Sequence, residues 1–143
     1  MFFGTYEHTL DDKNRLVIPR KMREELGTKI VILKGFEGSL SVYKEEDFAR
    51  YAEEVNRLPY NKKSSRDYIR VQLSSASDCE VDKQGRTIIP PYLMKKYNIG
   101  KEVVVIGVGN HIEIWDKKEY EQYEQETNEN FEANAEGIEL KNV

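Results

Sequence analysis

Apolar and polar residues alternate along this chain in a pattern that runs through once and then again. Leu10 leads into Asp11-Asp12-Lys13-Asn14-Arg15 and Leu16-Val17-Ile18-Pro19; Val81 leads into Asp82-Lys83-Gln84-Gly85-Arg86 and Thr87-Ile88-Ile89-Pro90. Each copy predicts a strand, a tight turn and a strand, because Asn14 and Gly85 are residue types that readily accept positive φ. After each proline, apolar residues recur one and two turns on (Met22 and Leu26, Leu93 and Tyr97). That spacing predicts a short helix, closed by Gly27 in one copy and Gly100 in the other. Compact aliphatic runs follow, Val31-Ile32-Leu33 and Val103-Val104-Val105, then period-two stretches at Leu40-Ser41-Val42-Tyr43 and Ile112-Glu113-Ile114-Trp115. The pattern is that of a tandem duplication.

Outside the matched stretches, residues 1–9 read as an extended lead-in with Phe3, Tyr6 and Leu10 offering apolar contacts. Glu45 to Leu58 predicts a helix with one apolar stripe, Phe48, Tyr51, Val55 and Leu58, ended by Pro59. Residues 61–73 begin polar and basic and continue as a second helix or an extended run. Tyr120 to Phe131 predicts an acidic helix anchored by Tyr120, Tyr123 and Phe131, with a frayed end beyond Ala133. The expected organisation is a first half at 5–47, a helical connection at 48–75, a second half at 76–119 and an acidic helix and tail at 120–143. A half of about 45 residues is too small to bury a stable core alone. The two halves should therefore share one core about a pseudo-two-fold axis.

Composition changes the picture in two places. A single cysteine, Cys79, rules out an intrachain disulfide and fits a reducing compartment. With no basic leader, and no run near the roughly 18 apolar residues of a membrane helix, a cytoplasmic chain is expected, with no membrane partner. The net charge of −4 argues at first against a nucleic-acid partner, but it divides into +3 over residues 1–118 and −7 over the rest. Lys13, Arg15, Arg20, Lys21 and Arg23 fall within eleven residues, a basic face compatible with phosphate binding or with a merely solvated surface.

The candidate chemistry lies in the two turns. Asp11 and Asp82 can accept from backbone N–H groups of their own turns and pair with Arg15 and Arg86. Such a pair can serve only to tie the turn, or it can present an arginine to phosphates or a guanine edge. Two copies on a shared core favour presentation. A second basic run, Lys62, Lys63, Arg66 and Arg70, reads as a solvated helix face or a further phosphate patch. His8 has no second His or Cys at metal-site spacing, and His111 aligns with Ser39, so neither points to a metal or to catalysis. The chain shows no Gly-rich phosphate loop and no nucleophile elbow, so no cofactor, small-molecule substrate or enzymatic activity is expected.

These turns, with Gly4-x-Tyr6-x-His8-x-Leu10-Asp11, Lys62-Lys63 and Val105-Ile106-Gly107-Val108, resemble the MraZ family of tandem SpoVT/AbrB-type regulators over nearly the whole chain. Asn14 stands where that family usually has glycine. The resemblance implies an α+β fold, a pseudo-two-fold swapped-hairpin β-barrel of the AbrB/MazE type built from two βαββ halves. It implies a ring homo-oligomer that binds double-stranded DNA at promoter direct repeats ahead of its own division and cell-wall operon, as a repressor, associated with the nucleoid. Arg15 and Arg86 would contact DNA, with Lys13 and Lys83 beside them, on turns shaped by Asp11, Asn14, Asp82 and Gly85; Arg20, Lys21 and Arg23 would reach phosphates. The alternative is an antitoxin-like module that binds DNA and a toxin.

Overall fold

Residues 1–142 are described by the structure, a computed structural model. The element order repeats. The first series is β1 (Thr5–Thr9), β2 (Arg15–Val17), α1 (Arg20–Leu26), β3 (Lys29–Lys34), β4 (Leu40–Lys44), α2 (Glu45–Asn56) and α3 (Lys63–Ser75). The second is β5 (Ser77–Glu80), β6 (Arg86–Ile88), α4 (Pro91–Lys96), β7 (Glu102–Gly107), β8 (Ile112–Asp116), α5 (Lys117–Glu129) and α6 (Phe131–Glu136).

Strand pairing crosses between the two series. A six-stranded sheet runs β1-β7-β8-β4-β3-β5, and β2 and β6 form a separate two-stranded ribbon. All pairs are antiparallel. The first strand of each series thus joins the other series, β1 on β7 and β5 on β3. This exchange explains how two 45-residue patterns reach stability, since neither β3 nor β7 could pair fully with its own neighbours alone. The expected barrel does not close: β1 and β5 remain the ends of the larger sheet, and the β2–β6 ribbon joins neither end by a ladder. The fold is a mixed α+β arrangement around an antiparallel sheet.

The core lies between one face of this sheet and the ribbon with its two short helices. Leu16, Ile18, Met22, Leu26, Ile30, Ile32, Leu40 and Val42 from the first series meet Ile89, Leu93, Val103, Val105, Ile112 and Ile114 from the second. Val31 and Leu33 are equally buried on the other face of β3, where α2 and α3 pack. Gln72 of α3 fixes that packing: its Nε2 donates to the Lys34 carbonyl at 2.9 Å and its Oε1 accepts from Tyr51 Oη at 2.6 Å. On β7 and β8 the matching face is covered by α5, with Trp115 against Tyr120 and Tyr123.

Four local expectations are corrected. Gly27 closes α1 at φ 77°, but α4 ends on Tyr97 and Asn98 (φ 56°), with Ile99 N–H donating to the Met94 carbonyl at 2.9 Å. Asn98 supplies the left-handed residue of that cap, and Gly100 lies beyond it. Helix α2 stops at Asn56, because Leu58 precedes proline and is pushed out of the helical region. Phe131 is no anchor: a break at Asn130 leaves it 67% exposed, while Ala133 to Glu136 remain helical. At the other end Phe2, not Phe3, enters the core, because Phe2 bridges to Gly109 and Phe3 then faces outward. The last residue of the expected frayed tail, Val143, lies outside the described residues.

Candidate nucleic-acid interface

The two Asp-x-x-x-Arg turns adopt the same hydrogen-bonded shape. In the first, the Asn14 N–H donates to the Asp11 carbonyl at 3.0 Å, and the N–H groups of Lys13 and Arg15 both donate to Asp11 Oδ1 at 2.9 Å. In the second, Gly85 N–H donates to the Asp82 carbonyl at 2.9 Å, and Gln84 and Arg86 N–H donate to Asp82 Oδ1 at 2.9 and 2.8 Å. Asn14 sits at φ 58° and Gly85 at φ 80°, the left-handed conformation the turn requires. Each arginine then donates Nε–H back to the other oxygen of its aspartate, Arg15 to Asp11 Oδ2 and Arg86 to Asp82 Oδ2.

This leaves the Nη donors of both guanidinium groups uncommitted among the described residues, and the side chains of Arg15 and Arg86 are 28% and 31% exposed. The aspartate fixes Nε and the plane of the group, so the free edge carries donors in one orientation.

The ribbon sets the distance between the two arginines. Arg15 faces Ile88, Leu16 faces Thr87, and Val17 faces Arg86. Residues directly opposite share a face, so Arg15, Val17, Arg86 and Ile88 lie on one side and Leu16 and Thr87 on the other. Leu16 and Thr87 are 0% and 2% exposed, so their side is the core and the arginine side is the surface. Arg15 and Arg86 are diagonal neighbours, with backbones about 7–8 Å apart. What the sequence left open, how near the turns lie, is set by three pairs of residues. Ile88, 53% exposed, gives this face an apolar patch between the two cations.

The other expected site residues divide. Lys13 and Lys83 are exposed but occupy different positions of their turns, since Lys13 N–H fills the place of Gln84 N–H. Arg20 and Lys21 are exposed on α1. Arg23 is partly buried: its Nε–H donates to the Ile18 carbonyl at 2.8 Å, and its guanidinium lies over Gly85. A Cβ at Gly85 would come 2.7 Å from Arg23 Nη1 and closer to Cζ and Nε, so glycine serves both the φ and the stack. One residue had no signal in the sequence. Lys101, the residue before β7, reaches to the first turn, where its Nζ donates to Asn14 Oδ1 at 2.7 Å and the Asp11 carbonyl at 3.1 Å.

Two consequences are testable. Asp11 is held down to about 2 from an ordinary 3.8, chiefly by the Arg15 N–H, then by the Arg15 guanidinium and the Lys13 N–H, against some desolvation. Asp82 is lowered likewise by Arg86 and Gln84 N–H. A depressed carboxylate stabilises the fold above its unfolded value and stops doing so as pH falls through its folded value. The turns should therefore be unchanged down to about pH 4 and loosen below it, the first with a midpoint near 2. Titration of the Arg15 and Arg86 Nε–H resonances checks this; a transition between pH 5 and 7 would contradict it. On the inner face, Thr87 Oγ1 is buried with no hydrogen-bond partner among the described residues. Thr87→Val removes that unpaired hydroxyl at nearly constant volume and should stabilise the protein by about 1 kcal/mol, read as a raised urea midpoint.

No described helix is long and apolar enough to cross a membrane. The family model described as "MraZ protein, putative antitoxin-like" matches this chain twice, over residues 1–71 and 73–141. Among curated relatives, the "Transcriptional regulator MraZ" of Moorella thermoacetica is 43% identical over 136 residues, 95% of each chain. The protein of the same name from Caldanaerobacter subterraneus subsp. tengcongensis is 43% identical over 143 residues, all of both chains. That of Pediococcus pentosaceus is 42% identical over 138 residues, 96% of each. Taken with the paired turns, these matches over both copies show that the chain belongs to the MraZ family.

Proposed function

We propose that this protein is a sequence-specific DNA-binding transcriptional regulator that reads promoter direct repeats through its two arginine turns. The observation that carries the reading is the β2–β6 ribbon, with two guanidinium forks free on one exposed face and locked by their aspartates. A two-stranded ribbon is of a size to enter the major groove, and an arginine fork matches the O6 and N7 of guanine. Val17 and Ile88 between the arginines suit thymine methyl groups. Lys13, Lys83, Arg20 and Lys21, exposed on the turns and on α1, serve as phosphate contacts that fix register without reading sequence, whereas Arg23 is taken up by the Ile18 carbonyl and Gly85. The names of the relatives support regulation of transcription.

The finer reading follows the family resemblance: halves at 5–47 and 76–119 about a pseudo-two-fold axis, and a ring of subunits repressing their own division and cell-wall operon at the nucleoid. One ribbon offers only two discriminating arginines, so a ring engaging several spaced repeats gains affinity through effective concentration. Fluorescence anisotropy on the chain's own upstream DNA and on a shuffled duplex, over a salt series, tests the reading. Wild type should prefer the upstream repeats with affinity falling steeply in salt, and Arg15→Ala and Arg86→Ala should each lose that preference. If all three proteins bind both duplexes alike, the turns are structural and the DNA-binding assignment falls.

A further inference from the structure

The two turns are supported from outside by different residues, and the difference points to a residue that determines how the first arginine is presented. At the second turn, Gly85 is held by the Arg23 guanidinium stacked on its backbone. Arg23 belongs to α1, in the other series from the turn it covers. At the first turn the supporting group again comes from the other series, but from the residue just before β7. Lys101 accepts the Leu10 N–H on its carbonyl at 2.8 Å, and its ammonium bonds both Asn14 Oδ1 and the Asp11 carbonyl. The equivalent backbone contact on the other side runs from Val81 N–H to the Thr28 carbonyl at 2.8 Å, and a threonine is too short to reach Gly85. Asn14 and Lys101 thus form a matched pair: the residue that replaces glycine carries the acceptor, and the lysine from the other series supplies the donor.

We propose that Lys101 is a positioning residue for Arg15 in DNA recognition, acting through Asn14 and the Asp11 carbonyl. The inference rests on the DNA-binding reading. Arg15 Nε is fixed by Asp11 Oδ2, and Asp11 is fixed at its carbonyl by Asn14 N–H and Lys101 Nζ. Removing Lys101 frees the Asn14 side chain and one anchor of Asp11, so the fork on Arg15 samples a wider arc before it meets a base edge. A longer search arc lowers discrimination, because orientation at a bidentate contact is what distinguishes guanine from other bases. A lysine that only met phosphate would instead weaken binding to every sequence equally and reduce the salt slope by about one.

The test uses Lys101→Met, Lys101→Arg and Asn14→Gly in the full chain, with thermal melting as the check on folding. Binding to upstream and shuffled duplexes is measured across salt, with wild type and Arg15→Ala alongside. Lys101→Met should reduce the upstream-to-shuffled preference about 5- to 10-fold with an unchanged salt slope, and Lys101→Arg should restore most of it. Asn14→Gly should show a smaller loss, and Asn14→Gly in the Lys101→Met background should add little, because the two act as one unit. Free-protein hydrogen exchange at Arg15 N–H should quicken in Lys101→Met while Arg86 N–H stays unchanged. If wild type shows no preference, the DNA-binding reading falls and this inference with it. If wild type shows preference and Arg15→Ala loses it, but Lys101→Met keeps it or only lowers the salt slope, the positioning role alone is overturned.

Discussion

Gly107→Ala should lower the stability of the protein by about 3 kcal/mol, although the change adds one methyl group at a strand end. The backbone of the N-terminal segment passes directly over this glycine. A Cβ there would lie 2.5 Å from the Phe2 carbonyl carbon and 2.6 Å from Phe3 Cα, and closer still to the Phe3 amide nitrogen. Backbone cannot rotate out of the way as a side chain can, so the segment must lift off. Lifting it breaks the Gly107 N–H bond to the Gly4 carbonyl (3.0 Å) and the paired bonds between Phe2 and Gly109 (both 2.8 Å). It also withdraws Phe2, 4% exposed, from the shared core. Loss of a buried phenylalanine costs about 3–5 kcal/mol, of which a partial withdrawal forfeits most. Urea denaturation of Gly107→Ala, Phe2→Ala and the double variant checks this: if the methyl acts by evicting Phe2, the double variant is little worse than Phe2→Ala. Gly35, the equivalent position, is crowded chiefly by the side chains of Ser39 and Ser41 at 2.6 and 2.9 Å. Gly35→Ala should therefore cost less, and equal costs at the two sites would count against the eviction account.

This asymmetry marks what could be read from the residues and what could not. The turns were legible in detail, because everything that shapes them is local: an aspartate four residues before its arginine, and a residue able to take positive φ between them. Most of the order of strands and helices was legible too, since period and proline placement set it, but residues 61–73 stayed open between a helix and an extended run, and α6 was expected to fray. Contacts between the copies were not. Whether β1 pairs within its own series or with β7 depends on residues nearly a hundred positions apart, and no short-range pattern encodes it. Lys101 was missed for the same reason: its partners are 87 and 90 positions away, and in the sequence it is one lysine beside an aliphatic run. Closure of the expected barrel was a further point of long-range geometry: β2 and β6 pack near β1 and β5, but no ladder of hydrogen bonds joins the ribbon to the sheet ends. Phe2 and Phe3 were confused because one step of register along an extended segment exchanges inside for outside.

Replacing both motif arginines by lysine should separate affinity from specificity on the proposed DNA-binding reading. The double variant Arg15→Lys, Arg86→Lys should keep its salt slope while its preference for the upstream repeats falls about 10²-fold. Lysine preserves the charge, so the counterions released from phosphate, and with them most non-specific affinity, stay the same. What it loses is the fork. With Nε held by Asp11 Oδ2 or Asp82 Oδ2, each arginine presents its Nη donors in a fixed plane; a lysine ammonium could meet the same carboxylate only by withdrawing its one charged group from the DNA. Each good bidentate contact discriminates by about 1–3 kcal/mol, so losing most of that at both turns gives the expected hundredfold. The two arginines are diagonal neighbours on one ribbon face, which places their two base contacts within one stretch of groove. Each single lysine variant should therefore relax preference over a different, adjacent part of the same repeat, and a randomised-base competition experiment would locate it. Retained preference in the double variant would mean that the turns grip phosphates and that the sequence is read elsewhere.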